Sequence, residues 1–152
     1  DIETTTPITA NLGEQTLPYQ WDYSDGIYFE KKDSAYGRLY NWYAVSDVRN
    51  ICPLGWHIPS ASEWSILIDH LGGEFIAGGK MKLTDTIYWK SPNKEATNEI
   101  GFTAFPGGCR YASGEFRYMG QNGVFWTSTV DPNYSLAALT YKLQYDETWA
   151  LN

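Results

Sequence analysis

Residues that could do chemistry are few and scattered in this 152-residue chain. Cys52 and Cys109 could form a nucleophilic or redox pair, but they stand 57 positions apart (109 − 52) and make no C-x-x-C. Neither is placed at a predicted helix N-terminus, where the dipole would lower a thiol pKa. His57 and His70 are the only histidines, with no H-x-x-x-H spacing, so zinc is not expected. His57 is expected to pack on Trp56 and bond to backbone, and His70 to face solvent. With no acid, base and nucleophile in one constellation, the chain reads as a non-enzyme.

Oxygen ligands are better supplied. Asn93, Asn98, Glu99, Asp131 and Asn133 lie in turn-rich segments and are the ligand type Ca²⁺ takes, with Asn98, Glu99 and Asp131 foremost. They have no EF-hand spacing, and the same residues are ordinary turn formers. Ca²⁺ is the one cofactor these residues suggest. Aromatics near turns offer a second kind of site. Trp89, Tyr111, Tyr118 and Tyr134 are expected on the surface, with Asp131 and Asn133 beside the last. Ring faces there can stack on sugars while amides and carboxylates bond hydroxyls. Trp42, Trp56, Trp64 and Trp126 fall in periodic segments and read as core.

The element that must organise these residues is a helix over Ala61–Leu71. Ser60 and Glu63 form a capping box, Trp64, Leu67, Ile68 and Leu71 make one apolar stripe, and Gly72 supplies the left-handed stop. Pro53, Gly55 and Pro59 enforce an extended approach that would place Trp56 and Ile58 near the helix start. A second short helix is expected within 35–45, where Leu39, Trp42 and Tyr43 have helical spacing. Lys80-Met81-Lys82-Leu83 alternates like a strand edge, and 90–99 is loop chemistry. From Gly101 onward, alternating segments separated by Pro106-Gly107-Gly108, Ser113-Gly114, Gln121-Asn122-Gly123 and Asp131-Pro132-Asn133 predict an antiparallel meander, with strands at 101–105, 109–111, 115–119, 124–130 and 136–145. The class is therefore α+β, with two short helices on a small, mainly antiparallel, twisted sheet and long loops.

Residues 1–20 read as an arm with a first strand near Ile8 to Leu12, and 21–152 as one domain. A strand with a turn is expected over 21–29, and a surface loop over 31–34. A net charge of −7 with only 11 Lys and Arg gives no basic stripe, which excludes nucleic acid and anionic membrane surfaces as expected partners. No run of eighteen apolar residues exists, and the start at Asp1, without Met or leader, reads as processed.

The blocks Gly37-Arg38-Leu39-Tyr40-Asn41-Trp42-Tyr43-Ala44-Val45, Cys52-Pro53-Leu54-Gly55-Trp56-His57-Ile58-Pro59-Ser60 with Glu63-Trp64, Ala77-Gly78-Gly79-Lys80-Met81-Lys82, Thr97-Asn98-Glu99-Ile100-Gly101-Phe102-Thr103-Ala104, Pro106-Gly107-Gly108-Cys109-Arg110 and Gly123-Val124-Phe125-Trp126-Thr127-Ser128-Thr129 follow one another in an order that resembles the Fibrobacter succinogenes major paralogous domain. The Pro59-Ser60 to Trp64 block also resembles formylglycine-generating enzymes, and implies a C-type-lectin-like fold. The cysteines those enzymes use near the C-terminal end have no counterpart in 110–152, so their activity does not carry over.

The resemblance implies a secreted or surface-anchored protein. It also implies a final strand past Asn152 ending in a cysteine that would pair with Cys52. With that strand absent, Cys52 and Cys109 are either bridged to each other, the favoured alternative, or both unpaired. The expected function is extracellular or cell-surface recognition of a polysaccharide or surface protein through the loops. The alternative is a structural subunit of a surface filament or pilus-like assembly, self-associating by strand donation at the open sheet edge.

Overall fold

The structure is a computed structural model that describes residues 20–21, 36, 39–111 and 113–152. The expected first strand near Ile8–Leu12, most of the strand and turn over 21–29, and the loop at 31–34 lie outside the described residues.

Among the described residues the domain is α+β, with three helices and three small antiparallel sheets. In chain order these are β1 (Gln20–Trp21), β2 (Leu39–Tyr40), α1 (Trp42–Val45), α2 (Ala61–His70), α3 (Glu74–Met81), β3 (Cys109–Arg110), β4 (Phe116–Arg117), β5 (Asn122–Asp131), β6 (Tyr134–Gln144) and β7 (Ala150–Leu151). Strand β1 pairs with β2, β3 with β4, and the largest sheet runs β5-β6-β7.

Helix α2 begins and ends where the sequence places it. Ser60 Oγ accepts from the Glu63 N–H at 3.3 Å and Glu63 Oε2 accepts from the Ser60 N–H at 2.8 Å, which completes the capping box. At the other end Gly73 N–H donates to Ile68 O and Gly72 N–H to Asp69 O, the Schellman pattern, with Gly72 at φ 98°. Its apolar stripe carries Trp64 into the core, stacked on Tyr141 at 4.9 Å and against Phe125 and Phe102.

The start of α2 is seated on a bulge in β5. Pairing steps from Trp126↔Thr140 to Val130↔Ala138, so β5 carries two more residues than β6 across that interval. Buried Thr127 satisfies the irregular backbone, donating to Leu139 O and accepting from the Thr129 N–H. Ser128 N–H then reaches Pro59 O, and Thr129 Oγ1 accepts from the Ala61 N–H. The strand predicted over 124–130 and the helix predicted after Ser60 thus lock together through one bulge.

Glu63 makes this cap sensitive to acid. Its carboxyl is held down to about 2, from 4.5, first by the Ser60 backbone N–H and then by His57 and the Ser60 hydroxyl. Because the folded value lies below the unfolded one, the stabilisation is present above about 4.5 and is lost as pH falls towards 2. We expect Ser60→Ala to cost about 1 kcal/mol. Glu63→Gln should flatten the acid limb of melting temperature against pH, and an unchanged limb would remove the cap from the account.

Three expectations are corrected. The helix within 35–45 shrinks to the single turn α1, capped by Asn41 Oδ1 on the Ala44 N–H, because Leu39 and Tyr40 pair with Trp21 and Gln20. The segment 80–83, read as a strand edge, instead begins with the end of α3, which spans Glu74–Met81. The 101–105 segment contributes only a parallel bridge between Ala104 and Lys82. Residues 146–152, to which the sequence assigns no element, contain β7, which pairs Ala150 and Leu151 with Leu143 and Lys142.

Candidate functional site

Trp89 is not on the surface: it is 0% exposed, and its indole N–H donates to Ala104 O at 2.9 Å. The other three aromatics are exposed, Tyr111 at 44%, Tyr118 at 40% and Tyr134 at 70%. They form two groups. Tyr111 and Tyr118 flank the β3–β4 hairpin with ring centroids 6.4 Å apart. Tyr134 lies at the β5–β6 tip, where Asp131 Oδ1 accepts from the Asn133 N–H at 2.7 Å. Strand β5 is ten residues long. At about 3.3 Å per residue it puts roughly 25–30 Å between the two groups, so Asp131, Asn133 and Tyr134 do not share a site with Tyr111 and Tyr118.

The hairpin group is the more elaborately built. Cys109 and Arg110 pair with Arg117 and Phe116, and the turn is closed by Tyr111 N–H to Glu115 O at 2.8 Å and Gly114 N–H to Tyr111 O at 2.9 Å. Arg117 donates twice to Glu115 Oε2, at 2.6 and 3.2 Å, and its guanidinium lies 5.2 Å from the Tyr111 ring centre. The Tyr118 phenol beside it pushes the Tyr111 pKa up. One small face thus offers two rings, a fixed guanidinium, a carboxylate and two hydroxyls.

Tyr118 is held there in a conformation it does not favour. Its φ is 62°, in the left-handed region that aromatic residues rarely enter. Its carbonyl accepts from both the Gln121 and Asn122 N–H groups at 2.9 Å, which fixes the turn. Gly108 lies so close beneath that a Cβ there would sit 2.2 Å from Arg117 O and 2.7 Å from Met119 N. Strain of this kind costs of order 1–3 kcal/mol and persists where the surroundings over-determine it.

Asn98, Glu99 and Asp131, the foremost candidate calcium ligands, are used locally. Asn98 Oδ1 accepts from the Thr103 N–H at 2.7 Å, and Glu99 pairs with Lys80 at 3.3 Å. Asn93 is buried and donates to the carbonyls of Leu83 and Asp85. Asn98 and Glu99 sit in the loop following α3, and Asp131 on the β5–β6 hairpin, so these oxygens are carried by separate elements. Among the described residues no three His, Cys, Asp or Glu side chains group together.

Both cysteines are free, which corrects the favoured bridge. They line one apolar cavity of about 790 Å³ together with Tyr40, Trp64, Phe125 and Trp126. Burial pushes the Cys109 thiol pKa up, away from the reactive thiolate. His57 bonds the Glu63 carboxylate at 2.9 Å rather than backbone, while His70 is exposed as expected. Trp56, expected in the core, is 72% exposed on the α1–α2 loop. Trp42 and Trp126 are half-buried and face each other at 6.1 Å.

Lys82 escaped the sequence reading altogether. It is fully buried, and its ammonium donates to the carbonyls of Lys94, Gln144 and Glu147 at 2.8 to 2.9 Å. The alternation of Lys80-Met81-Lys82 puts both lysines on one face, opposite Met81, and gives no sign that Lys82 turns inward.

Short helices, small antiparallel sheets and long loops define an α+β domain whose most elaborated surface is a tyrosine pair on a hairpin. The chain matches the Fibrobacter succinogenes major domain over residues 6–147 and belongs to that family. No curated protein and no solved structure is significantly similar to it.

Proposed function

We propose that this chain is a non-enzymatic recognition domain of C-type-lectin-like type, acting outside the cell or at its outer surface. In this reading it binds glycan through the face formed by Tyr111, Arg117 and Tyr118. The observation that carries the reading is Tyr118 itself: an aromatic residue held at φ 62° and 40% exposed, when the same turn could be made by Gly or Asn without strain. A ring kept on the surface against its backbone preference is better explained by what it touches than by packing. The chemistry of the face suits sugars. Tyrosine rings stack on the C–H faces of pyranosides, while Arg117, Glu115 and the phenols supply donors and acceptors for hydroxyls. Surface placement extends what the family resemblance implies.

The test is a glycan array run with and without calcium, followed by titration of the best oligosaccharide. Tyr111→Ala and Tyr118→Asn, the latter chosen because Asn tolerates the left-handed conformation, should each weaken binding roughly tenfold or more. The melting temperature of Tyr111→Ala should stay near the parent's, and that of Tyr118→Asn should not fall below it. Tyr134→Ala, on the other surface, should bind like the parent. A parent that binds nothing on the array, or hairpin variants that bind as tightly as it does, would sink the assignment.

A further inference from the structure

We propose that the buried ammonium of Lys82 is a positioning group for the recognition face, a proton-dependent latch that holds the Gly120–Asn122 turn and through it Tyr118. The functional consequence rests on the reading of the hairpin as the binding face; the geometry stands apart from any ligand. Lys82 follows α3, is 0% exposed, and directs Nζ at Lys94 O (2.9 Å), Gln144 O (2.9 Å) and Glu147 O (2.8 Å). An ammonium has three N–H donors and no acceptor, so every proton is used. A neutral amine has two, and loss of the proton must leave one of the three carbonyls without its bond from Lys82.

The three acceptors belong to the loop after Trp89, the end of β6 and the turn before β7, so three segments meet at one nitrogen. Two more steps reach the hairpin. Tyr145 N–H donates to Gln121 O at 2.9 Å, and the Gln121 and Asn122 N–H groups donate to Tyr118 O. Lys94 N–H to Tyr145 O at 2.8 Å and Lys90 N–H to Gly120 O at 2.7 Å brace the same junction. The turn that keeps Tyr118 left-handed hangs from the end of β6, whose place the ammonium fixes.

The charged groups around Lys82 set where the latch releases. Burial pushes its pKa down to about 8, from 10.5; Lys94 adds to the fall, and Asp146, Glu147 and Glu95 oppose it. The Trp89 ring, 5.5 Å from Nζ, also favours the cation. Since the folded value is the lower one, the unfolded chain binds more protons between about 8 and 10.5, and global stability does not fall across that window on this account. Loosening of the turn above pH 8 is therefore a local event in a folded domain, which separates the latch from general unfolding.

Nuclear magnetic resonance on the intact chain between pH 6 and 11 tests it. The Lys82 Cε signal is expected to titrate with a midpoint near 8, and the backbone signals of Gln121, Asn122 and Tyr145 to move with the same midpoint. Lys82→Met, which keeps the length and removes the charge, should place those signals at the high-pH positions at every pH. A Lys82 midpoint near the ordinary 10.5, or signals of the turn that stay flat while Lys82 titrates, would overturn the proposal. If Lys82→Met fails to fold, the titration of the unaltered chain still decides. None of these readouts involves a glycan, so a failed array leaves them standing, and a flat turn in a chain that binds sugar sinks the latch alone.

Discussion

Replacing Trp89 with alanine is expected to cost about 3–5 kcal/mol, the range for truncating a buried aromatic. That is a large part of the 5–15 kcal/mol a domain of this kind holds in total. The loss comes mainly from volume. Trp89 is fully enclosed within the cluster that includes Met81, Ala104 and Leu143. Its lost hydrogen bond counts for less, because Ala104 O also accepts from the Leu83 N–H at 3.2 Å and would not be orphaned. Trp89→Phe should therefore recover most of the stability without the indole N–H. Urea denaturation of the three proteins checks this, and a midpoint for Trp89→Ala equal to the parent's would return Trp89 to the surface.

The local sequence around Trp89 points to the surface, and only long-range contacts bury it. It is followed by Lys90-Ser91-Pro92-Asn93, loop chemistry that marks surface, and has no period of its own. What buries it is Ala104, fifteen positions on, and the side chain of Lys82. Helix α2 was legible because all its determinants are local: Ser60 and Glu63 bond each other across three residues, and Gly72 ends it within its own turn. The β5–β6 hairpin was legible for the same reason, through alternation on either side of Asp131-Pro132-Asn133. The bulge at Thr127 was not, since it is imposed by the docking of Pro59 and Ala61. Tyr111 and Tyr118 were found as exposed aromatics, but neither the strain at Tyr118 nor its separation from Tyr134 can be read from residue types. Lys82 lies beyond reach, because its partners are carbonyls, and every residue has one.

Helix α3 was missed because propensity argues against it. Gly78 and Gly79 each cost about 1 kcal/mol relative to alanine in a helix interior. The prediction that follows looks perverse on those grounds: Gly78→Ala, which should strengthen the helix by about 1 kcal/mol, is expected to destabilise the domain by roughly 3 kcal/mol or more. A Cβ at Gly78 would sit 2.1 Å from Trp149 O, 2.6 Å from its carbonyl carbon and 2.9 Å from Thr148 O. These are backbone atoms and cannot swing aside as a side-chain tip could. To admit the methyl, α3 must part from the 148–151 segment. That breaks Gly79 N–H to Thr148 O at 3.0 Å and Thr148 Oγ1 to Phe75 O at 2.7 Å, and pulls β7 from β6 where Leu151 faces Lys142. Gly73→Ala supplies the scale. At φ 102° and ψ 167°, backbone essentially confined to glycine, and with nothing within 4 Å of its Cβ, it carries only a conformational penalty of order 1–3 kcal/mol. Measured side by side by chemical denaturation, Gly78→Ala should be the worse of the two. If it is the milder of the two, α3 and β7 do not approach as closely as the glycine pair implies, and the reason for a helix through two glycines disappears with that contact.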